Sequence, residues 1–160
     1  MIREVRTTDA EAIRNIYNEY INGSTATFEE TPVSREEMAG RIETITKAYP
    51  WLVYESDGAV FGYTYARRWR DRESYRNTVE TGTYLASAST GRGIGTELKK
   101  ALLDVLRERG FHTVISGIAL PNPASVALCE KFGFTKVAHF KEVGYKFDRW
   151  IDVGYWQLTL

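Results

Sequence analysis

The segment Thr90-Gly91-Arg92-Gly93-Ile94-Gly95 constrains the fold more than any other part of the sequence. It stands between a strand-like run, Thr78 to Leu85, and a helical pattern that opens at Ile94. Glycines at such a junction let the backbone approach a ligand, and the unpaired N–H groups of the first helical turn point outward. We expect this loop to bind phosphate or pyrophosphate, with an ordinary turn as the alternative.

Two other nucleotide-binding motifs contain similar glycines but fit the sequence poorly. The Rossmann fingerprint requires a third glycine where this chain has Thr96, within a parallel βαβ unit near the start of a domain. The phosphate loop of NTPases requires Gly-Lys followed by Ser or Thr, and the chain contains no such triplet. Nucleotide hydrolysis is therefore disfavoured.

Composition narrows the classes of partner. With 160 residues and 43% hydrophobic content, the chain is expected to form a single domain, residues 1–160, around one core. Its 21 basic and 21 acidic residues leave no net charge, which disfavours nucleic acid and membrane partners. The longest uncharged stretch, Gly110 to Cys129, contains prolines that a membrane-spanning helix tolerates poorly. Cys129 is the single cysteine, and the first residues do not resemble a secretory leader, so we expect a cytoplasmic protein without metal or disulfide.

The hydrophobic periodicity predicts the element order β-α-α-β-β-β-α-β-α-β-β. Local pattern does not fix how these strands pair. A polar loop, Asn22 to Val33, separates the first two helices, and a longer loop, Lys141 to Arg149, is expected between the last two strands. The predicted strands are Ile2–Arg6, Trp51–Glu55, Val60–Trp69, Thr78–Leu85, Val114–Ala119, Phe134–Phe140 and Ile151–Leu158, and the helices begin near Thr8, Ser34, Ile94 and Asn122.

The glycine loop resembles the pyrophosphate loop of the GNAT N-acetyltransferase superfamily, whose pattern is Gln/Arg-x-x-Gly-x-Gly/Ala. Gly93 and Gly95 match this pattern, whereas Thr90 departs from it. The segment from Asn122-Pro123-Ala124-Ser125 to Gly133-Phe134 is similar to the second cofactor-binding segment of the superfamily. The resemblance implies acetyl-CoA as co-substrate and an α/β (α+β) fold: a mixed, mostly antiparallel seven-stranded sheet with central, parallel, splayed strands, flanked by about four helices. It assigns cofactor contacts to Leu85, Ala86, Arg92, Gly93, Ile94, Gly95, Thr96, Asn122 and Ser125.

Three further segments resemble one branch of that superfamily, the phosphinothricin and methionine sulfoximine acetyltransferases. They are Ser24 to Glu29, Tyr75 to Glu80 and Glu142 to Phe147. The resemblance implies acetylation of the α-amino group of a small amino-acid analogue, and a homodimer.

Acyl transfer to an amine requires a group that accepts the amine's proton. Glu80 stands in an otherwise uncharged strand and at the position of the branch's general base. On pattern alone, a solvent-facing acid is the equal alternative.

The other chemical roles are assigned less fully. In the superfamily a backbone N–H polarises the thioester carbonyl, and Leu85 and Ala86 lie in the corresponding segment. Many members also place a tyrosine at position 129 to protonate the leaving thiolate. Here Cys129 occupies that position and is expected to be a small core residue. Water, Ser125 and Tyr84 remain candidates for the acid.

An amino-acid-like acceptor needs a cation for its carboxylate, and five arginines stand between positions 67 and 76. The branch pattern favours Arg70 and Arg72, with Phe28, Glu29 and Lys146 as further substrate contacts. Other acceptors, namely a polyamine, an aminoglycoside or a protein N-terminus, are the alternatives. A non-catalytic acyl-CoA sensor is the alternative from another class. His112 and His139 have no metal-ligand spacing.

Overall fold

In a computed structural model that describes residues 1–160, the chain forms seven strands and four α-helices. The predicted element order is confirmed, and short 3-10 turns precede α1, β4 and the glycine loop. The strands are β1 (Ile2–Glu4), β2 (Trp51–Ser56), β3 (Ala59–Arg68), β4 (Thr78–Leu85), β5 (Thr113–Ala119), β6 (Thr135–Lys146) and β7 (Arg149–Thr159), and the helices are α1 (Ala10–Gly23), α2 (Arg35–Thr46), α3 (Ile94–Glu108) and α4 (Pro123–Lys131).

The strands form one sheet in the order β1-β2-β3-β4-β5-β7-β6. Every neighbouring pair is antiparallel except β4 and β5, which run parallel at the centre. This pair is matched only from Thr78 to Glu80, opposite Thr113 to Ile115. Beyond those residues the two strands diverge, so the predicted mixed sheet with a central parallel splay is confirmed.

Each face of the sheet carries its own apolar core. On one face, Ile13 and Ile21 of α1 and Met38 of α2 pack against Val53 and Tyr63. On the other face, the α3 row made of Leu98, Leu102, Leu103 and Leu106 packs with Val79, Val114 and Phe134. Successive strand residues point to opposite faces, so a ligand in the splay can be reached from both sides.

The predicted helix starts are confirmed at two sites. The Ser34 side chain accepts a hydrogen bond from the Glu37 N–H at 3.1 Å, and the Asn122 side chain accepts one from the Ser125 N–H at 3.2 Å. Both satisfy donors that a helix N-terminus leaves unpaired. No helix of the chain combines the length and the apolar character that crossing a lipid bilayer requires.

The loop predicted from Lys141 to Arg149 is wrong. β6 continues to Lys146 and β7 begins at Arg149, so only Phe147 and Asp148 join them. Both turn residues have positive φ, 54° and 57°, as a two-residue hairpin turn with primed geometry requires. The alternation of apolar and polar residues is interrupted in β6 because its pairing register with β7 shifts between Phe140 and Gly144. Glu142, within this irregularity, also has a positive φ.

Candidate active site

A fork opens where β4 and β5 diverge, and it forms the centre of a cavity of about 1280 Å³. At its base the hydroxyls of Thr81 and Ser116 are 2.9 Å apart. The cavity extends from the glycine loop, through the fork, to the loop between α1 and α2. It therefore connects the two faces of the sheet.

The glycine loop presents open backbone to the cavity. Gly91 and Gly93 have φ values of 76° and 82°, and no atom lies within 4 Å of where a Cβ would stand at either position. Gly93 is the N-cap of α3, so the N–H groups of the next residues have no partner within the helix. Gly93, Gly95 and Thr96 line the cavity, as do Asn122 and Ser125 at the start of α4. An open glycine backbone with unpaired N–H groups at a helix N-terminus is suited to binding a diphosphate.

Two residues of the loop lie elsewhere. The side chain of Ile94 is buried in the α3 core. Arg92 is exposed, with its guanidinium 5.8 Å from the Phe61 ring. Neither lines the cavity, so any contact that they make with a ligand there comes from the backbone or from a moved side chain.

Glu80 lies on β4 at the last paired position before the fork. Its carboxylate is 3.3 Å from the Arg67 guanidinium, and 20% of its side chain is exposed. On β5, a Cβ at Gly117 would stand 3.4 Å from Glu80 Oε1 and 3.0 Å from the Tyr155 ring. The glycine thus leaves room beside the carboxylate. Glu80 lines the cavity, at the point where β4 and β5 diverge.

The backbone groups of Leu85 and Ala86 have different partners. The Ala86 N–H donates to the Phe61 carbonyl at 2.9 Å, so it is used within the sheet and does not line the cavity. The Leu85 N–H donates to the Tyr20 hydroxyl at 3.2 Å, on the fork side of β4. Of the two predicted amides, only that of Leu85 faces the fork.

The loop between α1 and α2 places Phe28 and Glu29 at the cavity. Two nitrogens of Arg41 donate to Glu29 at 2.6 and 2.8 Å, and the Tyr17 hydroxyl also donates to this carboxylate. The Arg41 guanidinium holds the pKa of Glu29 below its usual range. Glu29 is therefore a charged, fixed group at the cavity wall.

The expectation that Lys146 contacts the substrate is corrected. Its side chain is 2% exposed, and its ammonium donates to the carbonyls of Ser24 and Thr27 at 2.7 and 2.8 Å. Lys146 does not line the cavity. It fixes the α1–α2 loop to β6, since a buried ammonium requires acceptors for its donors.

Arg70 and Arg72 lie on the exposed segment after β3 and do not line the cavity of the single chain. The Arg70 guanidinium is 4.5 Å from the Trp69 ring, which packs edge-on against Tyr155 at 5.7 Å. Tyr155 lines the cavity. Arg70 is thus two side chains away from it.

Several residues at the fork were missed by the sequence analysis. Tyr20 and Lys99 are two of them, whereas Arg67 stood among the five arginines already considered. Lys99 lies on the buried face of α3 and is 3% exposed. One signal could have found it: Lys99, Leu102, Leu103 and Leu106 share the i, i+3, i+4, i+7 spacing of a core face. A lysine at such a position is unusual.

The candidate acids also have defined surroundings. Cys129 is 4% exposed within the α3 core, as expected of a small core residue, and it also borders the cavity. Tyr84 packs against the rings of Tyr17 and Tyr20 at 5.3 and 5.1 Å, and burial raises the pKa of its hydroxyl well above the usual value. Tyr84 is therefore neutral at physiological pH.

Comparison with known proteins identifies the family. Residues 2–154 match the family described as acetyltransferase (GNAT) domain. The chain is 38% identical to the phosphinothricin N-acetyltransferase of Streptomyces viridochromogenes over 98% of its own length and 85% of that protein. It is 35% identical to the L-methionine sulfoximine/L-methionine sulfone acetyltransferase of Pseudomonas aeruginosa, covering 99% of this chain and 94% of that protein.

Solved structures show the same relationship. A phosphinothricin acetyltransferase of Sinorhizobium meliloti in complex with acetyl-CoA superposes with a TM-score of 0.97 at 38% identity, covering 100% of this chain and 88% of that one. The chain belongs to the GNAT acetyltransferase family and is an acyltransferase.

Proposed function

We propose that the chain transfers the acetyl group of acetyl-CoA to the α-amino group of a small amino-acid-like acceptor, of the phosphinothricin or methionine sulfoximine type. One observation carries this proposal: a single cavity joins the open glycine loop to Glu80 through the fork. The relatives named for these two substrates support the choice of acceptor.

Acetyl-CoA is the proposed acyl donor, and the relative solved with it supports this choice. We assign its diphosphate to the N–H groups around Gly93 and Gly95, where the positive end of the α3 dipole also favours an anion. Thr96, Asn122 and Ser125 border the same region. Leu85 is the proposed donor to the acetyl oxygen, because its amide is the one that faces the fork.

Glu80 is the proposed general base. An amine arrives protonated at neutral pH, and a carboxylate, or a water that it orients, takes the proton before attack. The Arg67 guanidinium lies 3.3 Å from this carboxylate and fixes its position beside the fork. No metal ion enters this proposal.

The acceptor's carboxylate is assigned to Arg70 and Arg72, and its side chain to the wall formed by Phe28 and Glu29. The segment that carries the two arginines begins directly after β3, whose residue Arg67 already lines the cavity. A guanidinium matches a carboxylate in bidentate geometry. The exposed position of both side chains leaves them free to swing toward a bound anion.

A cytoplasmic homodimer is part of the proposal. The β6–β7 hairpin exposes large apolar side chains, of which Trp150 is 64% exposed and packs against Tyr145 with tilted rings whose centroids are 4.8 Å apart. Exposed apolar patches mark interaction surfaces. The others are Val137, Phe140, Val143 and Phe147. Sedimentation equilibrium of the chain and of Trp150→Glu tests this, and a monomeric wild type would remove the dimer from the proposal.

A thiol-release assay tests the function. Purified protein and acetyl-CoA are offered α-amino acids, methionine sulfoximine, phosphinothricin, a polyamine, an aminoglycoside and a short peptide. We expect release with the amino-acid analogues. Preference for the polyamine, aminoglycoside or peptide would replace the acceptor, and binding of acetyl-CoA without release for any amine would identify a sensor.

A further inference from the structure

Lys99 is an ammonium group buried at the base of the fork without an acid partner. It is 3% exposed, and its pKa is lowered by burial. Cys129 of α4 is the ionisable group beside it, and the ammonium lies over the Phe134 ring at 4.5 Å from the centroid. Burying such a charge destabilises a protein strongly, so its presence in a cavity suggests a use.

Its hydrogen bonds form a closed triangle with two hydroxyls. The ammonium donates to Thr81 Oγ at 3.0 Å and to Ser116 Oγ at 3.2 Å, and the two hydroxyls are 2.9 Å apart. Each hydroxyl has one proton to donate. One of the two donates to the other, so the second retains a proton that is not used within the triangle. Thr81 and Ser116 both line the cavity, which places this proton at the wall of the fork.

The triangle and Glu80 lie on opposite faces of the sheet. Thr81 directly follows Glu80 on β4, and successive strand residues point to opposite sides. Lys99 reaches the fork from α3, one turn after the glycine loop, whereas Glu80 lies on the side of α1 and α2. A proton acceptor and a proton donor thus flank the place where the proposed acyl transfer occurs.

We propose that Lys99, acting through the hydroxyls of Thr81 and Ser116, supplies the proton that the departing coenzyme A sulfur takes up. This inference rests on the proposed function. Protonation of the leaving thiolate is the role that many superfamily members give to a tyrosine at position 129. In this chain the position is Cys129, which is a core residue.

The protons and electrons balance. A bond forms between the acceptor nitrogen and the acetyl carbon, and the bond from that carbon to sulfur breaks with its electron pair going to sulfur. On the way from ammonium to amide the nitrogen loses two protons: Glu80 passes the first to solvent before attack and takes the second after the nitrogen–carbon bond has formed. The sulfur takes a hydroxyl proton, which Lys99 replaces. Lys99 is left as a neutral amine and regains a proton through solvent. Lowering the lysine pKa toward that of a thiol, about 8.5, favours this transfer.

The first test measures binding rather than turnover. Coenzyme A is titrated with pH in complex with wild type, Lys99→Met and Lys100→Met, and the thiolate is followed by its ultraviolet absorbance. Lys100 is an exposed neighbour on the same helix and pairs with Asp104, which makes it the matched control. We expect a lowered thiol pKa with wild type and Lys100→Met, because a nearby cation stabilises a thiolate, and a return toward the free value with Lys99→Met.

The second test follows kcat against pH with the best acceptor. We expect kcat of Lys99→Met to fall by about tenfold or more, and the decline of kcat at high pH to be lost, since that decline reports the proton donor. Thr81→Val combined with Ser116→Ala keeps the charge and removes both relay hydroxyls, so we expect lowered kcat with the thiolate still stabilised. This variant carries the test if Lys99→Met does not fold.

Identical thiol titrations in wild type and Lys99→Met, or wild-type kcat at all pH values in a folded chain that carries both Thr81→Val and Ser116→Ala, would overturn the inference. Either result would show that the triangle only packs the base of the fork. Absence of thiol release by the wild type itself is a different failure, since it would remove the proposed function.

Discussion

The hydroxyl of Tyr20 holds both backbone groups of Leu85, accepting from its N–H at 3.2 Å and donating to its carbonyl at 2.8 Å. Leu85 lies opposite Gly62 in the β3–β4 ladder, but it is the next residue, Ala86, whose N–H bonds to β3. The polar groups of Leu85 therefore face the fork, where β5 has diverged. Tyr20 covers the one amide that the proposed reaction requires.

Replacing Tyr20 by phenylalanine is expected to strengthen acetyl-CoA binding. A ligand that accepts from the Leu85 amide must first displace the Tyr20 hydroxyl. In the free Tyr20→Phe protein this amide has no partner, which lowers the free energy of unfolding by about 1–2 kcal/mol. If most of that loss is regained on binding, Kd falls by up to about tenfold. Calorimetric titration measures Kd, with Tyr75→Phe, an exposed tyrosine, as control. An unchanged or weaker affinity would show that Tyr20 and the ligand do not compete.

Glu80→Gln is expected to lower kcat by about 10²–10⁴ near neutral pH while leaving acetyl-CoA affinity unchanged. The amide retains the shape of the side chain but accepts no proton. Glu97→Gln is the matched control, since Glu97 is exposed on α3 and does not line the cavity. Wild-type turnover in Glu80→Gln would transfer the base role to another group.

Arg41→Met is expected to lower stability at neutral pH by roughly 0.5–1 kcal/mol, because both partners of the ion pair are about one-third exposed and screened. The pH dependence has a defined sign. Arg41 lowers the pKa of Glu29 in the folded state, so the contribution is present above the unfolded value of about 4.3 and disappears as pH falls through the lower folded value. Thermal unfolding from pH 7 to pH 2 should show the variant converging on wild type. Arg35→Met, an exposed arginine, should show no such convergence.

Most of the fold was predictable because the local signals agreed with one another. Caps at Ser34 and Asn122, the Asp57-Gly58 turn and the glycine loop each mark a boundary by a physical requirement of the backbone. The loop predicted after Phe140 was wrong because its turn uses Phe147 and Asp148 in the left-handed region, where sequence patterns anticipate glycine or asparagine.

The sequence predicted the site residues that act through their own backbone, Gly93 and Gly95, and the single acid of an otherwise uncharged strand, Glu80. All three line one cavity. The roles of Tyr20 and Lys146 could not be predicted from the sequence, because each residue contacts a partner that is more than 60 residues away along the chain. Such pairings follow from the packing of helices on the sheet, which local periodicity does not encode.

Gly144→Ala is expected to displace Phe28 from the cavity wall. A Cβ at Gly144 would stand 2.4 Å from the Phe28 ring, so the ring must move. We expect a stability loss of about 1–3 kcal/mol and an increased KM for the acceptor, with kcat less affected. Gly40→Ala is the control, since nothing lies within 4 Å of its Cβ position and alanine favours helix α2. An unchanged KM in a folded Gly144→Ala would remove Phe28 from the acceptor site.

Lys146→Met separates a structural lysine from a substrate contact. The ammonium is the partner of the Ser24 and Thr27 carbonyls, and the apolar replacement leaves both buried acceptors unpaired, at about 1–3 kcal/mol each. We therefore expect a large fall in the free energy of unfolding, together with a raised acceptor KM, because Phe28 and Glu29 follow Thr27 directly. Lys141→Met, an exposed lysine of the same strand, should leave both quantities unchanged. A raised KM at wild-type stability would instead return Lys146 to the acceptor site, since only a direct contact could be lost without loosening the α1–α2 loop.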